Sequence, residues 1–310
     1  MRFVFVILHY KNIEDTIECI ESIKKLNYKN KSIIVVDNCS NNGSGEKLNE
    51  IYTNNDNIKI VINNRNLGFA KGNNIGIKIA IKDAADFICL INNDTVIKQK
   101  DFIEKCIQVY KEKSFYICGP KIVSLIDGGN QNPFIVPNHF INSKRKAIRL
   151  YVAGIVKYIT FIITKKMWWE TEKRKNLTNN LENKQLDSFT DEFLLHGACM
   201  IFSPMYLKKY NKICDLTFMY EEETIIYLIA KKLNLKMIYC PQIEIYHKEE
   251  AATKKIYKSE KQKLKFGIKQ DMKSRRKVFK IALHMNNKLY LEKLLGKNVK
   301  KGKGNKQNPI

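Results

Sequence analysis

In the first 120 residues, short unbroken apolar runs alternate with longer segments of helical spacing. Phe3–Leu8 is a continuous apolar run, the pattern of a strand buried on both faces. Asn12–Leu26 then places Ile13, Ile17, Ile20 and Ile23 on one helical face. Ser32–Val36 reads as a second buried strand ending at Asp37, Glu46–Tyr52 as a short helix, and Ile58–Ile62 as a strand. Ala70–Ala85 predicts a helix with Ile75, Ile79 and Ala80 on one side. Phe87–Ile91 predicts a strand ending at Asn92-Asn93-Asp94, Asp101–Tyr110 a helix, and Tyr116–Cys118 a strand closed by Gly119-Pro120. Repeated βα units of this length imply a parallel sheet with right-handed crossovers. Ligands of such sheets bind beyond the C-terminal strand ends, where Asp37 and Asn92–Asp94 fall.

Residues 121–190 break this rhythm. Gly128–Asn138 is loop-like, Ser143–Glu170 is both basic and apolar, and residues 176–188 are polar and rich in Asn. Compact patterning resumes at Phe193–Phe202 and Phe218–Tyr246, and a Lys-rich helical tail follows. The expected organisation is a domain over residues 1–253, split by an atypical insertion at 121–190 into a first half at 1–120 and a second half at 191–253. A basic helical tail occupies 254–310.

The chain has 310 residues, 44% of them hydrophobic, with 14 Gly and 6 Pro. Such a composition buries a core and excludes a mostly disordered or collagen-like protein. The net charge of +24 is unevenly placed. Residues 254–310 carry 19 Lys and Arg against 3 acidic residues, and residues 143–175 carry 10 against 2. The remainder holds 26 of each sign, so the chain reads as a neutral globule bearing two basic segments. That placement weakens the nucleic-acid-binding reading that a basic chain invites. The eight Cys are scattered without a C-x-x-C pair, which argues against a zinc ribbon and for buried thiols in a reducing compartment. The run Val4–Leu8 is too short for a secretory signal and no stretch of 18 apolar residues occurs, so neither a secretory leader nor an ordinary transmembrane helix is expected.

Several residues carry candidate chemistry. Asp37 is placed to accept hydrogen bonds from a base or ribose, or simply to cap a turn. The loop Asn63–Gly76 offers Gly for close backbone approach, a helix N-terminus for phosphate, and the polar side chains Asn66, Lys71 and Asn74 around Gly68. An ordinary Asn/Gly turn explains it equally well. Asn92-Asn93-Asp94 puts one carboxylate among carbonyl oxygens, which suits a hard divalent cation shared with a diphosphate, or a strand-end turn. Glu221-Glu222-Glu223 crowds three carboxylates, which raises a pKa toward general-base use and also suits the acidic first turn of a helix Thr224–Leu233. His247, after a strand Ile243–Tyr246, is a metal-ligand candidate or a surface histidine, and His196 in Leu195-His196-Gly197-Ala198-Cys199 is equally ambiguous.

The order of these features resembles the family 2 glycosyltransferases of the GT-A fold, over residues 2 to about 250, especially bacterial enzymes that build capsule, O-antigen or other surface glycans. The resemblance implies an α/β fold, a Rossmann-like mostly parallel sheet flanked by helices, with residues 1–120 as the nucleotide-sugar-binding half and 191–253 as the acceptor and catalytic-base half. It implies nucleotide contact by Asp37 and by the Asn66, Gly68, Lys71 and Asn74 loop, with Asn92 and Asn93 on the nucleotide side of a motif usually written Asp-x-Asp. Asp94 then holds Mn²⁺ or Mg²⁺ and His247 completes the metal site. The usual Glu-Asp pair falls on Glu222-Glu223, and which of the two is the base stays open. The implied reaction is inverting transfer from a nucleoside-diphosphate sugar, UDP by default and dTDP as the other choice, to a glycan or polyprenyl-linked acceptor. The first motif position is Asn92 rather than Asp, which leaves less negative charge for the metal.

The basic segments read as membrane-directed. Residues 143–166 mix Lys144, Arg145, Lys146, Arg149 and Lys157 with many aliphatic residues before Trp168-Trp169, as in an interfacial helix on anionic lipid. The tail adds a second cationic signal. The alternative for the insertion is packing on the acceptor side. The expected location is cytoplasmic, at the inner membrane face. Two rivals are a non-catalytic nucleic-acid-binding protein, which leaves the strand-end acids unexplained, and a nucleotidyltransferase. The latter calls for a Gly-rich phosphate loop where His9-Tyr10-Lys11-Asn12 stands.

Overall fold

The computed structural model describes residues 1–135, 144–164, 184–188, 191–249 and 260–297. Trp168-Trp169 and the chain end from 298 lie outside the described residues. In chain order the elements are β1 (Phe3–His9), α1 (Ile13–Lys24), β2 (Lys31–Asp37), α2 (Ser44–Tyr52), β3 (Ile58–Ile62) and α3 (Phe69–Lys82). Next come β4 (Phe87–Asn92), β5 (Thr95–Val96), α4 (Phe102–Lys113), β6 (Ile117–Ser124), β7 (Phe134–Ile135) and α5 (Lys144–Thr164). The second half holds β8 (Leu186–Asp187), β9 (Phe193–Leu194), β10 (Cys199–Phe202), α6 (Pro204–Leu207), α7 (Glu222–Leu233) and β11 (Met237–His247). Two helices end the described chain, α8 (Glu260–Leu283) and α9 (Lys288–Leu294).

The main sheet runs β3-β2-β1-β4-β10-β6-β11-β5, with β8 added beside β11. The first four strands are parallel, and β10 enters antiparallel between β4 and β6. Alternate residues of β1 feed opposite cores. Phe3, Phe5 and Ile7 pack with α1, α2 and α4, while Val4 and Val6 pack with α3 and α7. Gly76 lets α3 lie close on the sheet, since a Cβ there would sit 2.3 Å from Val6 Cγ1. Seven of the eight free Cys are buried, as their apolar settings imply.

Two differences from the sequence reading have physical causes. Strand β6 continues through Gly119-Pro120 to Ser124 instead of stopping there. Pro120 has no N–H to donate, and the neighbouring β11 bulges at that point, its register shifting between Cys240 and Glu244. The tail is not a mere appendage, for Val278, Ile281 and Ala282 of α8 and Leu291 of α9 are buried in the same core as α7. Lys-rich helices that bury one apolar face keep their charge on the other.

Candidate active site

The parallel register aligns the polar strand ends at one rim. His9 lies opposite Asp37, Asp37 opposite Ile62, and Leu8 opposite Asn92. Asp37 is buried, and its carboxylate accepts from the Ser40 hydroxyl and from Ser40 N at 3.3 Å. His9 stands 3.9 Å from Asp37 Oδ1 and bonds Thr16 Oγ1 and Ser44 Oγ at 2.7 Å each. Burial lowers the His9 pKa, against the opposing pull of Asp37.

Asn38, which the pattern did not single out, organises the Asn/Gly loop. Its Nδ2 donates to Asn66 Oδ1 at 3.0 Å and Gly68 O at 3.2 Å, and its Oδ1 accepts from Leu67 N at 2.9 Å. Gly68 has φ +79°, and a Cβ there would meet Phe218 O at 2.2 Å. Phe69 N donates to that same carbonyl at 2.8 Å, so the loop is tied to the segment leading into α7. Asn74 spends its amide on the main chain of Ile213, at 3.0 and 2.9 Å, which makes it a strut between α3 and that segment. Lys71 is exposed on the first turn of α3.

At the end of β4, Asn93 turns toward α1 and donates to Thr16 Oγ1 at 3.1 Å. Asp94 turns the other way. The antiparallel pairing of β5 with β11 brings it to His247, with His247 Nε2 at 3.3 Å from Asp94 Oδ1. Lys248 N donates to Asp94 O at 2.9 Å and locks this juncture. The His247 tautomer follows from its partners. Glu249 only accepts, so Gln131 must turn its NH₂ toward Glu249 and its Oε1 toward His247 Nδ1, 2.8 Å away. That oxygen also only accepts, so Nδ1 carries a hydrogen and Nε2 is the ring nitrogen that faces Asp94. An imidazole nitrogen and a carboxylate oxygen side by side are a pair that could share a cation, and the Gln131 contact on the far nitrogen is the kind that orients a metal-binding histidine. Gln131 and Glu249 are residues the sequence pattern gave no reason to choose. Among the described residues, no group of three His, Cys, Asp or Glu side chains is placed to hold a metal by itself.

The third strand-end feature closes the site. Asn92 N donates to Ala198 O at 2.9 Å, and one residue earlier Gly197 N donates to Glu223 Oε1 at 3.2 Å. The His196 ring lies 5.7 Å from that of His247, centre to centre. Ala198 N donates to His196 Nδ1 at 2.9 Å, so a neutral His196 ring carries its hydrogen on Nε2. The segment 196–198 thus joins the Asp94 side to the Glu side. Glu222 and Glu223 open α7 after two consecutive left-handed residues, Tyr220 (φ 72°) and Glu221 (φ 68°). That strained turn is gripped by α8. Buried Ser274 donates to Met219 O at 2.7 Å, and Arg275 Nη2 lies 3.7 Å from Glu221 Oε1. Glu222 is buried and accepts from Thr217 Oγ1 at 2.9 Å. Burial pushes its pKa up to about 7, the charge of Glu223 adds to this, and the Thr217 bond partly offsets it. Glu223 is half-buried and reaches the rim. Phe218, Met219 and Tyr220 remain partly exposed beside the pair.

A mainly parallel central sheet flanked by helices, with its polar strand ends gathered at one rim, is a GT-A fold. The sequence profile of Glycosyl transferase family 2 matches residues 4–210, more than half of the chain, and the chain belongs to that family. A Glycosyltransferase GlyG of Streptococcus pneumoniae serotype 4 is 30% identical over 97 residues, which are 31% of this chain and 31% of that protein. The chain therefore matches about a third of that relative's length. The crystal structure of S. aureus TarS residues 1–349 in complex with UDP superposes with a TM-score of 0.51 at 16% identity, covering 80% of this chain and 60% of that one. The corresponding complex with UDP-GlcNAc gives 0.51 at 15% identity over 95% and 70%. At these identities the likeness establishes the fold.

Proposed function

We propose that this chain transfers a sugar, with inversion, from a nucleoside-diphosphate sugar to a glycan or polyprenyl-linked acceptor in bacterial surface-polysaccharide synthesis. It would work in the cytoplasm at the inner membrane face. The observation that carries the reading is the convergence of Asp94–His247 and Glu223 on one rim through His196-Gly197-Ala198. UDP is the preferred nucleotide, because solved structures of the same fold bind UDP and UDP-GlcNAc.

The nucleoside lies along the Asp37–Ser40 turn and the Asn38-braced loop 63–68, with the first turn of α3 and Lys71 toward the diphosphate. Asp94 and His247 would hold Mn²⁺ or Mg²⁺, with the diphosphate filling the rest of the shell; such a cation neutralises charge on the leaving group. The acceptor hydroxyl attacks the anomeric carbon from the face opposite the nucleoside diphosphate. The new C–O bond forms as the bond to the diphosphate oxygen breaks, and Glu223 takes the hydroxyl proton. Glu223 is assigned as base because it reaches the rim, whereas Glu222 is enclosed and bonded to Thr217. Phe218, Met219 and Tyr220 offer the acceptor an apolar edge beside that base. The test is UDP release from a panel of UDP-sugars with Mn²⁺ and a lipid-linked acceptor. Acceptor-dependent release with one sugar supports the reading, and no release with any sugar or with the dTDP series contradicts it.

A further inference from the structure

The two basic segments pack together, and their outward residues are sorted. Tyr151 of α5 stacks on Phe279 of α8 with ring centres 5.7 Å apart and planes 3° from parallel. Three residues on, Gly154 lies against Arg275, where a Cβ would be 3.0 Å from Arg275 Cδ. Contacts that rise along one helix and fall along the other make the pair antiparallel. Ile148, Val152, Val156 and Ile159 form a stripe at helical spacing on α5, and each is between 45% and 56% exposed. On α8, Lys265, Lys269, Lys273, Arg276 and Lys280 form a second exposed stripe at the same spacing.

These stripes face the same way. Val152 follows the contact residue Tyr151, and Arg276 and Lys280 follow the contact residues Arg275 and Phe279. The next residue of a right-handed helix lies about 100° further round. In an antiparallel pair, that step turns both helices toward one side of their common plane. One side of the hairpin therefore carries an apolar ridge beside a row of five cations, with exposed Arg145 and Arg149 at the ridge's end. Helix α5 contains no acidic residue. No helix among the described residues is long and apolar enough to cross a membrane.

We infer that this composite face docks on an anionic lipid surface, the aliphatic ridge entering the headgroup boundary and the α8 cations pairing with lipid phosphates. The charge row argues against a second copy of the same face, which would meet like charge. The aliphatic ridge is unsuited to a nucleic-acid backbone, which pairs with cations and aromatic rings. The inference deepens the membrane part of the proposed function and does not depend on the transfer chemistry.

The test is flotation of the full chain with vesicles of phosphatidylglycerol and phosphatidylcholine in equal parts, and of phosphatidylcholine alone. The chain should float with the first and not the second. Val152→Asp with Val156→Asp should abolish flotation. Lys269→Gln, Lys273→Gln and Arg276→Gln together should weaken it about a hundredfold, at roughly fivefold per charge. The UDP-induced thermal shift should be unchanged in both, which shows that they fold. Four results would overturn the inference: no flotation with anionic vesicles, flotation indifferent to the aspartates, equal flotation with phosphatidylcholine alone, or a dimer in sedimentation that the aspartates dissolve. Failure here leaves donor binding and transfer untouched, so it is distinguishable from failure of the proposed reaction.

Discussion

The two acidic sites on the rim are built in opposite ways. Asp94 is positioned by strands: β5 pairs with β11, Lys248 N fixes the Asp94 carbonyl, and the Glu249–Gln131–His247 chain turns the His247 Nε2 toward its carboxylate. Glu222 and Glu223 sit instead on a strained turn gripped by a helix from the chain's other end, through Ser274 and Arg275. The strand-built site holds one carboxylate and one imidazole in a setting fixed by backbone pairing. The turn-built site crowds carboxylates in a poorly solvated corner, where burial first and the charge of Glu223 second raise the Glu222 pKa to about 7.

The largest effect that separates the two sites should come from Glu223→Gln. Transfer should fall roughly 10²–10⁴-fold while UDP binding stays as in the wild type. Measured turnover equal to wild type in both this variant and Glu222→Gln would remove the base from this turn. The next effect is on stability. The Glu222 pKa is raised from 4.5 to about 7, so the folded state keeps a proton that the unfolded chain releases between those values. Stability from this group therefore falls as pH rises across that window and is level above it, a loss of about 3 kcal/mol. Thermal unfolding from pH 4 to 8 should show Glu222→Gln lacking that part of the decline.

Smaller effects probe the supports. Gln131→Ala frees the His247 tautomer and should weaken Mn²⁺-dependent UDP binding about 10- to 100-fold in calorimetry, with metal-free binding unchanged. Ser274→Ala removes one hydrogen bond to the turn and should cost about 1 kcal/mol in denaturant unfolding. On the proposed mechanism it should also lower kcat without raising the KM for donor, because the turn carries the proposed base Glu223.

What the sequence made legible follows the same division. The places of Asp37 and His247 at strand ends, and of Asp94 just past one, are legible because each follows a strand pattern, and a mainly parallel sheet brings such ends to one rim. Asn38, Gln131 and Glu249 were not, since their roles come from contacts across the fold, such as Gln131 with His247, 116 positions away. Asn74 looked like a ligand-binding amide in an Asn-rich loop, yet its pairing with Ile213 spans 139 positions. The pairing of α5 with α8 was equally hidden, because helical periodicity gives each helix an apolar face without naming what covers it. Local pattern sets elements and their ends; long-range packing decides which polar group faces which.

The central claim is that donor binding and proton removal are divided between Asp94 and Glu223. Calorimetric titration of UDP with Mn²⁺ into wild type, Asp94→Asn and Glu223→Gln tests it most directly, with transfer rates measured on the same samples. The account predicts that Asp94→Asn loses metal-dependent UDP binding, while Glu223→Gln binds UDP normally and transfers at least about a hundredfold more slowly. Loss of UDP binding in Glu223→Gln, or undiminished metal-dependent binding in Asp94→Asn, would contradict it.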